Sequence, residues 1–518
     1  MVKRRSEKAR FTMSLKIQIN YKGRAFLDKV FRLSNQVYNR LVSHCQKQIR
    51  KLRLDPDYRR AMNDYIQAKQ RKDKPAVKHA EAALSECIAR YGLTEYSLHT
   101  YVKVQQHKYA KYIDAFTAQK IATTAYRAVA SVLYRKGKQV HFRKWTDALS
   151  IEGKSNKQGI RYKNGRLYFA GRVFCLQAPD RKDNQRWYYE RAMENRICFV
   201  RIKRRSFGSG WQYYAELIFD GVSPKRIRSR TGSVGIDIGT STVAAVGARR
   251  ALLKTLGHGL KDYDRQIEDL SRRMDQSRRD SNPQNYNTDG TIKKGRKHWA
   301  YTKSYLQKQF RLKTLYRRRK EALSQWQDIL IKELLAMGNT FFVETMNFKA
   351  LQAKAKESHD TDKTIETVKA DGTTRTVQKQ SSKKRFGKSL KNHAPAAMLT
   401  KLESRAASAG GAMYKIDTAA FKASQYDHEA DAYIKHELSD RTKKVAGQLV
   451  QRDLYSAFLL KHSMPDLKSP DRTACKTDFK NFLRSQESCL KDLYYRSDDH
   501  NANFGLNEFA RLWKAEAA

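Results

Sequence analysis

Hydrophobic and polar positions follow two different periods along the N-terminal part of the chain. The opening FTMSLKIQINY alternates with a period of two, which predicts a β-strand. Apolar residues then recur every three or four positions and predict a helix with one buried face; they are Phe26, Val30, Leu33, Val37, Leu41 and Cys45. The helical pattern continues, polar and rich in Tyr and Lys, to about Arg135. We therefore expect a helical lobe over residues 21–136.

Strand-like segments dominate the next part of the chain, residues 137–230. RYKNGRLYF places Asn164 and Gly165, which two-residue hairpin turns favour, between two short strands. RICFVRIKRR and WQYYAELIF flank the turn-like SFGSG. These segments predict a β-domain, barrel-like in form, which the strand within residues 1–20 can join across the helical lobe.

From Ser233 onward the pattern is that of an α/β domain. SVGIDIGTSTVAAVG reads as two buried strands joined by a turn, and a basic helical region follows at about residues 258–337. YTKSYLQKQFRLKTLYRRRKEALSQW keeps its apolar residues on one side and cations on the other. A cationic face of a helix is ordinarily only exposed to solvent, but it is equally suited to contact phosphate groups.

The overall charge changes this picture, because the chain has 105 Lys and Arg residues against 52 Asp and Glu, a net charge of +53. A polyanion is the expected partner, and nucleic acid the expected class. We expect phosphate contacts from the basic residues Arg317, Arg318, Arg319, Lys320, Lys383, Lys384, Arg385 and Lys388.

Two other features of composition exclude classes of protein. The sequence has no apolar run of membrane-spanning length and no charged-then-apolar leader, so we expect a cytoplasmic protein with no membrane partner. None of the six cysteines forms a CxxC pair, which argues against a disulfide framework and against a zinc ribbon. Cys45 lies on the apolar helical face and is expected to be a small buried hydrophobe.

Three carboxylates lie at sequence positions where burying an isolated charge would cost free energy. Asp237 interrupts an apolar strand, Glu344 follows the apolar run Phe341 to Val343, and Asp453 opens an amphipathic helix. Mg²⁺ takes oxygen ligands, and two such ions can activate a water and stabilise the leaving oxygen of a phosphodiester. Each acid also has a structural explanation: Asp237 could cap a turn, Glu344 could pair with a lysine, and Asp453 could complement the helix dipole.

The segments that carry these acids, GIDIGTSTVAAVG, VETMNFKAL and RDLYSAFLL, resemble the three split RuvC motifs of TnpB proteins and of their relatives, the type V CRISPR effectors. Glu344 and Asn347 match the second motif. The resemblance implies a multidomain α+β protein with a helical recognition lobe, a β-barrel-like wedge domain and a split RNase H-like nuclease domain over residues 231–420 and 448–518. It also implies that Asp237, Glu344 and Asp453 are catalytic and hold Mg²⁺, as two ions.

The third motif departs from the family pattern. Residues 421–447 keep part of the scaffold of a zinc ribbon but none of its four cysteines, so no zinc is expected. Tyr455 stands where the family has Asn. SDDHNANFG matches the same signature locally and makes Asp499 the alternative third acid. We prefer Asp453, because the ribbon-like framework precedes it and because its distance from Glu344, 453 − 344 = 109, is similar to 344 − 237 = 107.

The resemblance implies an RNA-guided DNA endonuclease, a monomer whose partners are a guide RNA and target double-stranded DNA. Three alternatives remain open: an RNA-guided repressor that binds without cleaving, a DNA transposase, and an actin-like ATPase or sugar kinase. The last rests on the likeness of SVGIDIGTSTVAAVG to the strand and the Asp, Gly, Thr turn of their phosphate loop, although the second glycine-rich Asp strand of those enzymes is absent.

Overall fold

The structure is a computed structural model of a mixed helical and sheet protein. It describes residues 9–517 with these gaps: 135–136, 138, 145–149, 181, 184, 209, 225–228, 354–358, 369–373, 382–385 and 438. The chain forms two compact units, Met1–Lys225 with Gly295–Thr314, and Arg226–Lys294 with Leu315–Ala518. Within the described residues no helix is long and apolar enough to cross a membrane.

The first unit begins with one strand and a run of helices, and its other strands follow those helices in the chain. Its elements are β1 (Arg10–Gln18), α1 (Tyr21–Leu54), α2 (Pro56–Gln70), α3 (Lys74–Arg90), α4 (Glu95–Lys108), α5 (Ala115–Leu133), β2 (Ser150–Glu152), β3 (Arg161–Lys163), β4 (Arg166–Phe169), β5 (Arg172–Gln177), α6 (Arg186–Met193), β6 (Ile197–Phe207) and β7 (Gly210–Asp220). All six residues of the predicted apolar face of α1 are buried, which confirms that prediction. Burial raises the pKa of the Cys45 thiol to about 12, as expected for an inert buried thiol.

The strands of this unit form one antiparallel sheet in the order β2-β6-β7-β1-β5-β4-β3. Strand β1 pairs with β7 on one side and β5 on the other, so the first strand of the chain lies mid-sheet. Asn164 and Gly165 have φ of 48° and 74° and form the predicted turn between β3 and β4. Asn156, which follows β2 in the chain, exchanges two hydrogen bonds with the backbone of Tyr162 in β3, at 2.7 and 3.2 Å.

The second unit alternates strands and helices. Its elements, with α8 beginning in the first unit, are β8 (Ser233–Ile238), β9 (Thr242–Val246), β10 (Ala251–Thr255), α7 (Lys261–Asp280), α8 (Lys303–Met337), β11 (Thr340–Glu344), α9 (Phe348–Leu351), β12 (His359–Val368), β13 (Thr374–Ser381), α10 (Gly387–His393), α11 (Pro395–Ser408), β14 (Ala412–Ile416), α12 (Thr418–Phe421), β15 (Tyr426–Asp427), β16 (Ala432–Tyr433), β17 (Thr442–Val445), β18 (Gln448–Gln451), α13 (Arg452–Lys461), α14 (Arg472–Arg496) and α15 (Leu506–Ala517).

A five-stranded sheet in the order β10-β9-β8-β11-β14 forms the centre of this unit. Strands β8, β11 and β14 are parallel, and β9 runs antiparallel to both of its neighbours. One face of the sheet, including Ile236 and Val343, packs against α8 and α11. Residues of α13, α14 and α15 join the core on the other face. The central strand β8 is therefore covered on both sides, which explains its almost continuous apolar sequence.

Candidate active site

Asp237 and Glu344 lie side by side at the carboxyl ends of the parallel strands β8 and β11. Ile236 and Val343 are the last residues at which these two strands pair with each other, and each acid is the next residue of its strand. Both acids therefore point to the face opposite Ile236 and Val343, which is the face that α13 covers. The sequence spacing of 107 between the two acids equals the register of this strand pair, since 343 − 236 is also 107.

Asp453 reaches the same place from the first turn of α13. The side chain of Gln451 caps this helix by accepting a hydrogen bond of 2.7 Å from the backbone N–H of Leu454. Arg452 Nε lies 3.3 Å from Asp453 Oδ1, and the Asp453 side chain is 17% exposed. The cap and the ion pair fix where the Asp453 carboxylate stands.

The three carboxylates interact electrostatically. Burial raises the pKa of Asp237 well above its usual range, the charges of Asp453 and Glu344 raise it further, and Arg452 opposes the shift. Burial also raises the pKa of Glu344 to about 7, although the backbone N–H of Ala423 hydrogen-bonds to it and opposes that change. Keeping Asp237 and Glu344 ionised therefore costs the folded protein free energy.

The donor chemistry of this cluster fits Mg²⁺, because that ion takes hard oxygen ligands such as carboxylates. The arrangement is open. Throughout the part of the chain that the structure describes, no three His, Cys, Asp or Glu side chains are grouped closely enough to hold one metal ion. The acids thus repel one another without forming a closed set of ligands, and a divalent cation would remove that repulsion.

The alternative third acid, Asp499, has a different environment. Its Oδ2 accepts a hydrogen bond of 2.8 Å from the backbone N–H of Thr255, and its Oδ1 accepts one of 2.7 Å from the Thr255 hydroxyl. His258 Nδ1 lies 3.4 Å from Asp499 Oδ1. Thr255 ends β10, the outer strand that β9 separates from β8. The Asp499 carboxylate is therefore used to hold the end of β10.

Tyr455, at the position where the resembled motif has Asn, is fully buried. Its hydroxyl accepts a hydrogen bond of 3.1 Å from the backbone N–H of His428 and lies 2.7 Å from the ring Nδ1 of that residue. The Lys443 ammonium lies 4.2 Å from the centre of the Tyr455 ring. His428 and Lys443 belong to residues 421–447, so Tyr455 fastens this insert to α13.

Two residues that lie beside the carboxylates were not predicted from the sequence. Arg452 opposes the rise in the pKa of Asp237, and the Ser456 hydroxyl acts in the same direction. Both lie on α13 next to Asp453, at positions i − 1 and i + 3. The helical spacing of QRDLYSAF is the signal that could have identified them.

The cationic residues of α8 divide into two groups. Arg319 is buried, and its Nε and Nη2 donate to the Asp264 carboxylate at 2.7 and 3.1 Å. Both of its Nη atoms also lie 3.2 Å from the carbonyl oxygen of Asn392. This guanidinium joins α8 to α7 and to the end of α10. Arg318 and Lys320 are exposed.

The remaining cations expected to contact phosphate have varied surroundings. Arg317 forms an ion pair with Glu321 on its own helix. Lys388 is 83% exposed, with Nζ 3.4 Å from Glu268 Oε1. Lys383, Lys384 and Arg385 lie outside the described residues.

Comparison with known proteins gives structural neighbours and no sequence relatives. No family model matches the chain, and no curated protein matches it. One similar solved structure is a cryo-EM structure of a Cas12f1-sgRNA-target DNA complex, with 11% identity, a TM-score of 0.48, and coverage of 89% of this chain and 100% of the other. A second is a cryo-EM structure of a CRISPR-Cas12f ternary complex, with 13% identity, a TM-score of 0.24 and the same coverage. Because both TM-scores are below 0.5, the interpretation of the site rests on its own residues.

Proposed function

We propose that the chain is an RNA-guided DNA endonuclease with a magnesium-dependent RuvC-like site, acting as a monomer on double-stranded DNA. The observation that carries this proposal is the adjacency of Asp237 and Glu344 at the carboxyl ends of β8 and β11, with Asp453 of α13 close enough to Asp237 to raise its pKa. The resemblance of the three acid-bearing segments to split RuvC motifs supports it, and so does the mixed five-stranded sheet covered by helices. The net charge of +53 supports a polyanionic partner.

In this proposal Asp237, Glu344 and Asp453 would hold Mg²⁺, which would supply an activated water and stabilise the leaving oxygen of the phosphodiester. Arg452 orients the Asp453 carboxylate and balances part of its charge. Exposed cations such as Arg318 and Lys320 neutralise phosphates. The guide reads the DNA sequence by base pairing, so the protein needs to recognise only duplex shape, backbone charge and a short flanking motif.

The test is to express the protein with its native flanking DNA, purify it and sequence the RNA that remains bound. We expect a discrete species of guide length. The complex should cut matching DNA in the presence of Mg²⁺ and leave it intact in EDTA. Purified protein that carries no discrete RNA would overturn the guided mechanism.

A second candidate function is RNA-guided DNA binding without cleavage. The observation that favours it is the open arrangement of the three acids, since among the described residues no three such side chains are grouped tightly enough for one ion. The same purified complex distinguishes the two candidate functions. Binding of matched DNA with no Mg²⁺-dependent cut would identify a guided binder, whereas joined DNA ends would identify strand transfer by a transposase.

A further inference from the structure

An open cavity of about 440 Å³ lies on helix α1 in the first unit. Its lining residues are Arg32, Asn35, Gln36, Asn39 and Arg143. The four residues from α1 are spaced by three and four positions and so share one face of the helix. Every lining side chain is an amide or a guanidinium, and none is acidic. The cavity therefore combines hydrogen-bonding amides with positive charge.

The wall of the cavity that Arg143 provides is held by side chains of α1. Asn39 donates to the carbonyl oxygen of Arg143 and accepts from its backbone N–H, both at 2.8 Å. Asn35 Nδ2 donates to the carbonyl oxygen of Lys144 at 3.1 Å. The Arg143 guanidinium lies 3.7 Å from the centre of the Tyr38 ring. These contacts form the cavity in advance of any ligand, which reduces the entropy lost on binding.

One buried acceptor in the cavity lining lacks a donor. Asn35 is 4% exposed, and its Oδ1 has no hydrogen-bond partner among the described residues. A buried acceptor without a donor is unfavourable, because it has given up water and gained nothing in exchange. The amide of Gln36, one residue further along, is exposed and adds a donor and an acceptor.

We propose that this cavity binds one unpaired nucleotide of the guide RNA; the RNA identity rests on the proposed function. The exposed Gln36 amide can match the donor and acceptor edge of a base, and Arg guanidinium groups bind phosphate. Amides also bond the 2′-hydroxyl that distinguishes RNA from DNA. The volume lies within the range of small-ligand pockets, about 300 to 1,000 Å³. A nucleotide carries both a phosphate and a base edge, and so matches a lining that combines guanidinium groups with an amide.

The test uses variants that leave the wall of the cavity intact. Arg32 and Gln36 are exposed, and the hydrogen bonds that hold residues 139–144 against α1 come instead from Asn35, Asn39 and Gln46. Arg32→Gln should weaken guide RNA binding by roughly fivefold or more and lower the salt slope by about one. Gln36→Ala should weaken binding by roughly fivefold. The matched control is Lys29→Gln, an exposed cation on the same helix outside the cavity, which should change binding little.

The decisive readout is chemical probing of 2′-hydroxyl reactivity along the bound RNA. Arg32→Gln and Gln36→Ala should expose the same one or two nucleotides, and Lys29→Gln should expose none of them. Unchanged reactivity in both cavity variants, or equal losses of affinity in all three, would overturn the inference while leaving guided cleavage intact. If the variants alter protection of the DNA instead, the ligand is DNA and the RNA assignment is wrong. Wild-type protein that binds no RNA would contradict the proposed function itself.

Discussion

Gly235 of β8 lies directly against Ala457 of α13, so closely that an added Cβ would stand 1.9 Å from the Ala457 carbonyl oxygen. The same Cβ would come within 2.4 Å of the backbone nitrogen of Lys461. Only glycine permits this approach, since neither backbone atom can move without moving the helix. The contact sets the distance between the strand that carries Asp237 and the helix that carries Asp453.

Gly235→Ala should therefore push α13 away from the sheet. We expect a loss of about 2 kcal/mol or more in the free energy of unfolding, measured by urea denaturation, together with loss of DNA cleavage. Gly210→Ala is the matched control, because a Cβ there meets nothing within 4 Å and the residue also lies in a strand. Equal stability of the two variants would contradict the close contact.

Asp237→Asn should stabilise the protein at pH 8 in EDTA. The same substitution should abolish DNA cleavage in the presence of Mg²⁺. The pKa values of Asp237 and Glu344 are higher in the folded state than in the unfolded state. The protein is therefore most stable at a pH below the pKa values of the unfolded state. It loses stability as the pH rises through the pKa values of the folded state, about 7 for Glu344. Removing the charge of Asp237 reduces this loss of stability. We expect the free energy of unfolding to rise by about 1 to 3 kcal/mol at pH 8, and the difference to vanish near pH 4.

Urea denaturation at the two pH values checks this prediction, and guide RNA binding should be unchanged. Mg²⁺ should raise the melting temperature of the wild type more than that of Asp237→Asn. A variant less stable than the wild type at pH 8 would show that the Asp237 carboxylate is compensated within the fold.

Asp499→Asn should have the opposite effect on stability and little effect on cleavage. The substitution removes one of the two acceptors that hold Thr255, so we expect a loss of about 1 to 2 kcal/mol in unfolding free energy. Asp498→Asn, at an exposed neighbouring residue, is the control. Lost cleavage with unchanged stability would instead make Asp499 the third catalytic acid.

Tyr455→Phe should loosen the insert of residues 421–447 without any involvement of zinc. His428 would lose the partner of its backbone N–H and of its ring Nδ1, and we expect a loss of about 1 to 2 kcal/mol, measured by thermal unfolding. Tyr433→Phe in the same insert is the control, because its side chain is largely exposed. Elemental analysis should find no stoichiometric zinc, and a chelator should leave the wild-type melting temperature unchanged; bound zinc would contradict this account.

Local sequence determined those features whose cause is local. The buried face of α1 follows from apolar residues at helical spacing, and the β3–β4 turn follows from Asn164 and Gly165, which accept a left-handed backbone. Asp237 and Glu344 stood out because each acid follows or interrupts an apolar strand. Their spacing even equals the strand register, although nothing in the sequence identifies it as such.

Only the tertiary structure decided which charged groups remain available. SDDHNANFG and QRDLYSAF contain comparable acids, yet Asp499 is taken up by Thr255 whereas Asp453 lies close enough to Asp237 to raise its pKa. Arg319 looked equivalent to Arg318 in a basic run, but it is buried against Asp264. These outcomes depend on partners 55 to 244 positions away along the chain. A residue's type sets the charge it can carry, and the groups that fold against it determine whether that charge is already compensated.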